Sequence, residues 1–542
     1  LFNSRVPPGI QNKYIIGLWL FVLSINANAQ HNLPGDFLSK EFHAGRREAF
    51  RQKMPENSVA VIFSFPERVF SNDVTYSYHP NPDLYYLSGY KEPDGMLIIF
   101  KEMQKNGDRS YNELIFVRSR NPLLEQWTGR RLGADGAKKD LGFAYAFNTE
   151  KFKTFEIDFK GFKSIQYDIF PDDAGSGTLQ SLINTFSKKA EIKKRENKYI
   201  IQAHNLLANF TSPTNLANRV SRIKASMANT EDSDYRNDPI LNQIIQNPDE
   251  ATLAMVQKKI KEDPAPSQEY NKLISSLREI KTPEELVLLR KSIQLSAIAH
   301  KEVMKAITPA MSESEITGIF HYVHKRYGAM DEGYPPIVGS GGNGCILHYI
   351  ENNATKVDNQ LVLMDVGSEY HGYSADITRT VPANGKFSPE QKAIYQLVYK
   401  AQEEVFKIVK EGTPFQDLNV KTTEVLAQGL LELGIIKEKK DVSRYYIHGV
   451  SHHLGLDVHD KNITPVLKEN MVITVEPGIY IPKGSPCDPK WWDIAVRIED
   501  DLLIGKSGNE NLSVAAPRKL EDIEATLAQK SALNNLILPK LK

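Results

Sequence analysis

Acidic residues lie inside or at the end of apolar, strand-like stretches in the second half of this chain. An aspartate ends the run 361–364, another opens DITRTV, and glutamates occupy VITVEPGIY and IAVRIEDD. A carboxylate buried in a sheet is costly unless it is paired with a cation or binds a metal. The fold must therefore bring compensating charge to four residues: Asp365, Asp376, Glu476 and Glu499.

The two aspartates are predicted to face each other on paired strands. Gly367, Gly372 and polar residues separate Asp365 from Asp376, a pattern that predicts two antiparallel strands and a short loop. If the pairing is symmetric about that loop, like charges oppose each other across the ladder and destabilise it. A cation between them would turn the penalty into a binding site. An aspartate at a strand end can equally be a turn former or a helix cap.

Glu499 has a simple alternative partner. Arg497 shares its strand face because side chains alternate along a strand with period two. An ion pair between these two residues is therefore as good an interpretation as a metal ligand.

Four of the 13 histidines fall within HGVSHHLGLDVHD, which runs from His448 to Asp460. Gly449 and Gly455 argue against a long helix, so the segment is predicted to be loop and strand rather than the helical HExxH of zinc proteases. A single histidine is more often structural than a ligand. A cluster of histidines beside acidic strands favours ligation.

The motifs resemble, in chain order, those of the pita-bread metallopeptidases, the family of methionine aminopeptidase, prolidase and aminopeptidase P. The matching segments are LVLMDVG, SADITRT, HGVSHHLGLDVHD, VEPGIY and VRIEDD, and the resemblance spans residues 280–515. It implies two divalent metal ions, manganese first, with cobalt or zinc as alternatives. The implied metal ligands are Asp365, Asp376, His452, Glu476 and Glu499.

The donor set predicts hydrolysis. Four carboxylates and one imidazole, with no thiolate, suit manganese, magnesium, cobalt or zinc. Two divalent ions about 3.5–4 Å apart can share a water, lower its pKa and stabilise the oxygen that becomes charged as it attacks. The alternative nucleophile is Cys345, but a thiol needs a base and an orienting group.

The resemblance also implies roles for residues outside the ligand set. GGNGCILHYIENN is similar to the family segment that carries an active-site histidine, here His348. His448, His459 and Arg497 fall on positions that contact substrate or stabilise the reaction. Glu476 is implied to shuttle a proton as well as bind metal, and His459 and His348 to hold the scissile carbonyl or the tetrahedral intermediate.

Within the family, the motif sequences are most similar to those of aminopeptidase P, which removes an N-terminal residue that precedes proline. HPNPDLYYLSGYKEPDGMLIIF and FVRSRNPLLEQWTGRRLGADGA resemble its amino-terminal domain. A prolidase acting on Xaa-Pro dipeptides is the alternative. Filled ligand positions count against a non-catalytic peptide-binding module and against a creatinase-like, metal-free hydrolase. His453 departs from the pattern, because many relatives carry an aromatic or bulky residue there.

Peptide substrates with proline second require a particular pocket. An Xaa-Pro bond has no N–H to donate, and the ring fixes φ, so a shallow apolar slot is predicted. The candidate lining residues are Tyr349, Tyr370 and Trp491, although each could instead belong to the core.

The first thirty residues differ from the rest. Arg5 and Lys13 precede an apolar run at 14–25 and the small-residue sequence ANA at 27–29. This pattern predicts a secretory signal peptide over residues 1–29 and an exported protein, periplasmic or secreted. The apolar run is short for a transmembrane helix, so no membrane attachment is expected after cleavage.

The remaining chain is predicted to be α+β with two domains. These are a creatinase/prolidase-like α/β domain at 31–268, with a helical insertion at about 190–268, and a pita-bread catalytic domain at 280–515. Residues 516–542 form a tail. The 542 residues carry a formal net charge of zero, which argues against a nucleic-acid partner. The resemblance implies a homo-oligomer.

Overall fold

The computed structural model describes residues 35–208, 210 and 216–535, so the predicted signal peptide lies outside the described residues. None of the helices in that part of the chain is long and apolar enough to cross a bilayer.

A five-stranded sheet organises the first domain, in the order β6-β5-β4-β1-β7. Its two outer pairs, β1 with β7 and β5 with β6, are parallel, and its inner pairs are antiparallel. The sequence at 59–63, 96–100 and 114–117 predicts three strands in this domain, and the structure contains them as β1, β4 and β5. The strands are β1 Ser58–Phe63, β2 Val69–Ser71, β3 Val74–Thr75, β4 Met96–Asn106, β5 Arg109–Val117, β6 Ala146–Asn148 and β7 Ser164–Tyr167. The helices are α1 Lys40–Lys53, α2 Pro82–Ser88, α3 Pro122–Thr128, α4 Gly133–Asp140 and α5 Thr178–Lys189.

The predicted helical insertion is helical and has an apolar cluster of its own. The helices are α6 Lys198–Ala208, α7 Leu216–Ala228, α8 Ser233–Arg236, α9 Pro239–Gln246, α10 Glu250–Glu262 and α11 Pro266–Arg278. The polar stretch NTEDSDYRNDP predicts a loop, but it contains the single-turn helix α8, because the Asp232 carboxylate caps that helix by accepting a bond from the Tyr235 N–H.

A Thr or Ser followed three residues later by Glu or Gln predicts the start of a helix at Thr282 and at Ser388 in the second domain, and both starts are confirmed. Thr282 and Glu285 form a reciprocal capping box at the start of one helix, and Ser388 and Gln391 do the same at another. Such boxes satisfy backbone N–H groups that have no partner within the helix. The helices are α12 Pro283–Ala306, α13 Glu313–Arg326, α14 Pro389–Phe406, α15 Phe415–Glu432 and α16 Leu520–Leu527. Short 3-10 helices occupy Thr149–Lys153, Phe159–Gly161, Gly341–Cys345, Lys439–Arg444, Pro489–Trp491 and Ala532–Asn535.

Small antiparallel sheets make up the second domain's β-structure, and the four predicted acidic ligands lie at or next to the ends of their strands. They follow the orders β9-β10-β13, β8-β11-β12, β14-β17-β18 and β15-β16. The strands are β8 Asp331–Glu332, β9 Ile337–Ser340, β10 Leu361–Asp365, β11 Ser368–Tyr370, β12 Tyr373–Ser374, β13 Thr378–Pro382, β14 Val472–Val475, β15 Gly478–Ile481, β16 Ile494–Arg497, β17 Asp500–Ile504 and β18 Asn509–Asn511. One large apolar core joins these strands to α12–α15; its members include Val303, Phe320, Val362, Val398 and Ile473. Burying each such side chain stabilises the fold by about 1.5–3 kcal/mol.

The pairing of the two aspartate strands is confirmed, but its predicted register is wrong. β10 and β13 are antiparallel, and the residue opposite Asp365 is Thr378. Asp376 lies two residues before β13, because the intervening chain forms a second hairpin, β11–β12, rather than a short loop. That hairpin turns at His371 and Gly372, which both have positive φ. The two carboxylates therefore meet at the end of the ladder rather than across it.

Candidate metal centre

All nine predicted site residues line one cavity of 250 Å³. Each of the four acids lies at or just beyond a strand end. Asp365 ends β10, Asp376 precedes β13, Glu476 follows β14 and Glu499 lies in the turn between β16 and β17. The histidines come from the irregular segment after the Lys439–Arg444 turn and from the loop after β9. The lining residues are Leu347, His348, Asp365, Asp376, His448, Gly449, Ser451, His452, His459, Glu476, Arg497 and Glu499.

Three of the predicted ligands converge closely. Donor atoms of Asp376, His452 and Glu499 all lie within 4.8 Å of one another. Nε2 of His452 is 3.3 Å from Oδ2 of Asp376 and 4.0 Å from Oε1 of Glu499. It is also 3.5 Å from Oε1 of Glu476. One imidazole nitrogen thus faces three carboxylates.

The ring orientation of His452 suits a metal ligand. Its Nδ1 lies 3.0 Å from the carbonyl oxygen of His453, and a carbonyl can only accept, so Nδ1 carries the proton. Nε2 is therefore the ring nitrogen that faces the acids and that would bind a metal. A metal-binding histidine is commonly oriented in this way by a bond from its other nitrogen. Backbone bonds from Thr474 N to His452 O and from Glu476 N to Val450 O fix the segment against β14.

Tyr334 joins two of the acids and was missed by the sequence analysis. Its hydroxyl lies 2.5 Å from Oδ1 of Asp365 and 2.6 Å from Oδ1 of Asp376. One hydroxyl carries one proton, so it cannot neutralise both groups. Burial and the two aspartates raise the pKa of Tyr334 well above its ordinary value. No motif in the sequence marks this tyrosine.

The acids repel one another strongly. Burial, followed by the nearby Asp365, raises the pKa of Asp376 well above its ordinary value. Burial and Asp376 do the same to the pKa of Glu499. Burial and then Glu499 raise the pKa of Glu476 to about 8. A bound cation would relieve this repulsion, so the acids fit a divalent metal.

We expect the metal-free protein to lose stability as pH rises. The folded-state pKa of Glu476 is about 8, against an ordinary value of 4.5. The folded protein therefore binds more protons between those values, and the free energy of unfolding falls as pH rises through that window. Chelator-treated protein should melt at a lower temperature near pH 8 than near pH 6, and added Mn²⁺ should remove the difference. Equal melting temperatures without metal would contradict the repulsion.

Arg497 pairs with an aspartate rather than with Glu499. Its Nη2 donates to Oδ2 of Asp365 at 2.5 Å, and the described side chains include no direct Arg497–Glu499 ion pair. The predicted pairing is wrong because Glu499 lies beyond the end of β16, where strand alternation has stopped. Nε of Arg497 donates to the Thr378 hydroxyl at 3.1 Å, and that hydroxyl donates to Oε2 of Glu499 at 2.6 Å.

His448 is neutral in this environment. Its Nδ1 lies 2.7 Å from the carbonyl oxygen of Gly449 and its Nε2 lies 2.8 Å from the Tyr480 hydroxyl. The carbonyl must accept, so Nδ1 is protonated and Nε2 accepts from Tyr480. Burial and then Arg497 lower the pKa of His448 to about 4. His448 is a hydrogen-bonding group near Glu476, whose Oε2 is 3.6 Å from Nδ1.

The other two candidate histidines lie at the cavity mouth. His348 and His459 are both exposed. The ring of His459 contacts that of His452 edge to face, with centroids 4.2 Å apart. Burial, followed by the neighbouring His452, lowers the pKa of His459, which favours the neutral ring at neutral pH, and a neutral ring can donate one N–H to a substrate oxygen.

The aromatic residues predicted as possible lining of a proline slot belong to the core. Tyr349, Tyr370 and Trp491 are 5%, 4% and 6% exposed, and the cavity is lined instead by the apolar side chain of Leu347. The hydroxyl of Tyr349 donates to Glu313 at 2.9 Å. The slot assignment failed because proximity in sequence to a motif says little about which way a side chain points.

Two other residues singled out in the sequence lie behind the site. Burial raises the pKa of the Cys345 thiol to about 12, which removes it as a nucleophile at neutral pH. His453 is 2% exposed, and its ring stacks on Phe415. The departure from the family pattern at His453 therefore affects the support of the ligand segment rather than the cavity wall.

Four carboxylates, an imidazole whose Nε2 faces them and a guanidinium in one small cavity define a metal-dependent hydrolase. The donors are hard and suit manganese, cobalt or zinc.

Comparison with known proteins agrees with this class. Residues 287–506 match metallopeptidase family M24, and residues 43–159 match the aminopeptidase P N-terminal domain. The chain is 32% identical to the Xaa-Pro aminopeptidase of Escherichia coli over 504 residues, covering 90% of this chain and 98% of that protein. The corresponding protein of Haemophilus influenzae is 31% identical, with coverages of 90% and 96%. The structure of E. coli aminopeptidase P with the inhibitor Pro-Leu aligns with a TM-score of 0.69 at 29% identity, covering 91% of this chain and 98% of that one. The chain belongs to the Xaa-Pro aminopeptidases of metallopeptidase family M24.

Proposed function

We propose that this protein is a metal-dependent exopeptidase that hydrolyses the N-terminal Xaa-Pro bond of peptides. The observation that carries the proposal is the convergence of four acids and Nε2 of His452 in one cavity. Histidines suited to bind a carbonyl lie at the mouth of the same cavity.

Asp365, Asp376, His452, Glu476 and Glu499 would hold two divalent ions, for which we propose Mn²⁺. Such ions supply Lewis acidity and lower the pKa of a water near the scissile bond. The chain supplies the rest. Arg497 orients Asp365, Thr378 orients Glu499, and the His453 carbonyl orients His452.

Glu476 is proposed to accept a proton from the attacking water and return it to the leaving amine. Its carboxylate is buried among other acids, which raises its proton affinity. A general base works best when its pKa lies near the working pH. His348 and His459 are proposed to donate N–H bonds to the carbonyl oxygen as it becomes charged. Such donors contribute about 10²-fold or more in rate.

A tripeptide or longer peptide is the proposed substrate, rather than the dipeptide of a prolidase. The relatives named above are Xaa-Pro aminopeptidases, and the N-terminal domain matches that of aminopeptidase P. The missing N–H of an Xaa-Pro bond removes a group that an ordinary peptidase groove binds. Leu347 beside His348 offers an apolar contact for the ring.

We also propose an exported homo-oligomer, periplasmic or secreted. Export rests on the signal-peptide pattern at 1–29. Assembly is supported by an exposed apolar hairpin in the first domain, where β2 pairs with β3 and the Phe70 ring contacts that of Tyr76; Val69 and Phe70 are each 63% exposed and Tyr76 57%. Exposed apolar groups in one region are typical of protein–protein interfaces.

The test is cleavage of an Xaa-Pro-Xaa tripeptide beside an Xaa-Pro dipeptide, using metal-stripped protein with and without added Mn²⁺. We expect Mn²⁺-dependent release of the residue before proline from the tripeptide. Cleavage of the dipeptide alone would replace the proposal with a prolidase. Cleavage of neither would leave a peptide-binding module as the better interpretation.

A further inference from the structure

A cluster of six charged residues links the first domain to the segment that carries His459. The three cations and three acids cancel in formal charge. Burial of charges is costly unless their pairing geometry is good, and four members have side chains at most 3% exposed: Arg278, Lys281, Asp83 and Asp460. The other two are Asp457 and Lys461.

Asp83 is the contribution of the first domain. It lies in the first turn of α2 and accepts three bonds. Nη1 of Arg278 donates to it at 2.6 Å, Nζ of Lys461 at 2.7 Å and the hydroxyl of Tyr270 at 3.0 Å. One carboxylate of the sheet domain therefore binds directly to the residue two positions after His459.

Asp460 is the counterpart in the catalytic domain. Nη2 of Arg278 donates to both Asp460 and Asp457, the latter at 2.7 Å. Nζ of Lys281 donates to Oδ2 of Asp460 at 2.6 Å. A Cβ added at Gly455 would lie 2.0 Å from that same oxygen, so the glycine lets the segment close over the cluster.

These bonds anchor residues on both sides of His459. Asp457, Asp460 and Lys461 are all anchored, whereas the His459 side chain is exposed at the cavity mouth. We propose that Asp83 is a positioning residue for the reaction, acting through Arg278 and Lys461 to fix the backbone that presents His459 to the substrate. The expected effect of Asp83 on catalysis rests on the proposed function. Its expected effect on the position of the His459 segment rests only on the contacts described above.

A double-mutant cycle tests the catalytic consequence. His459→Ala is expected to lower kcat about 100-fold, and Asp83→Asn about 10-fold or more, because small displacements of a positioned group are costly. Both variants should retain the wild-type metal content. If Asp83 acts through His459, the double variant loses no more than His459→Ala alone. Losses that multiply would overturn the proposal.

Hydrogen exchange of the metal-free protein tests, independently of activity, whether Asp83 fixes the backbone of residues 455–463. Amides of residues 455–463 should exchange faster in Asp83→Asn than in wild type. Unchanged exchange there would overturn the proposal. Failure of wild type to cleave Xaa-Pro peptides would refute the proposed function, while the exchange result would still decide whether Asp83 fixes the segment.

Two further variants separate positioning from general loss of stability. Glu113→Gln disrupts a comparable ion pair in the first domain, where Glu113 accepts from Arg47 at 3.0 Å and Arg51 at 2.7 Å. It should lower the melting temperature but leave kcat per folded molecule and exchange at 455–463 unchanged. Lys461→Met removes the Asp83–Lys461 ion pair from its more exposed side, because the Lys461 side chain is 24% exposed. If Asp83→Asn does not fold, this variant should show the same loss of kcat and the same faster exchange at 455–463.

Discussion

Asp376→Ala is expected to abolish Xaa-Pro hydrolysis and, at the same time, to make the metal-free protein more stable. Asp376 shares the Tyr334 hydroxyl with Asp365 and faces Nε2 of His452. Loss of an outer-shell partner costs about 10–100-fold in activity or metal affinity, so loss of a ligand should cost about 10³-fold or more. Removing one of several mutually repelling buried carboxylates relieves the repulsion that raises its pKa.

The measurement is thermal unfolding with and without Mn²⁺, alongside turnover and bound-metal content. Wild type should be stabilised by the metal, by about 2.7 kcal/mol at a free concentration 100 times the Kd. Asp376→Ala should melt higher than wild type without metal and gain little when metal is added. Wild-type turnover in this variant would refute the two-metal proposal.

Glu113→Ala provides a control of opposite sign. Glu113 is a satisfied carboxylate that accepts two bonds from Arg47, and its removal leaves a 1% exposed guanidinium without that partner. This variant should be less stable with or without metal and should keep full stabilisation by Mn²⁺. Comparing Asp376→Ala with Glu113→Ala therefore distinguishes a buried carboxylate that requires a metal ion from one that is already neutralised by arginine.

The sequence was sufficient for the local features of the fold. Capping boxes such as Thr282 with Glu285 depend on neighbours three residues apart, and the structure contains them. The acidic strand ends and the histidine segment were also identified, because their residue types are unusual in apolar surroundings. All nine predicted site residues line one cavity.

Features that depend on distant partners were missed or misassigned. The register of β10 on β13 follows from an inserted hairpin, which alternation of residues does not reveal. Tyr334 is 31 positions from Asp365, and Asp83 is 195 from Arg278. Such pairs are set by the packing of whole elements, so a single sequence carries no local sign of them.

Arg497→Met is expected to have the second-largest effect, with the opposite sign on stability. Arg497 is 3% exposed and donates to Asp365, to the Tyr480 hydroxyl at 2.8 Å and to Thr378. Removing one partner of a buried ion pair costs about 3–5 kcal/mol, because the remaining charge is left uncompensated. The metal-free variant should therefore unfold far more readily than wild type, whereas Asp376→Ala should resist unfolding.

Added Mn²⁺ should restore much of the lost stability of Arg497→Met, because the metal supplies positive charge to the same carboxylates, but it should not restore turnover. Asp365 and Glu499 lose their orientation when the guanidinium and its bond to Thr378 are removed, which should lower turnover about 10–100-fold.

Arg290→Met is the matched control: that arginine forms an exposed pair with Glu510, and such pairs contribute about 0–1 kcal/mol. Denaturant unfolding with and without metal measures both variants. If Arg497→Met lowered the free energy of unfolding of the metal-free protein no more than Arg290→Met does, Arg497 would not be the cation that compensates the four acids before metal binds.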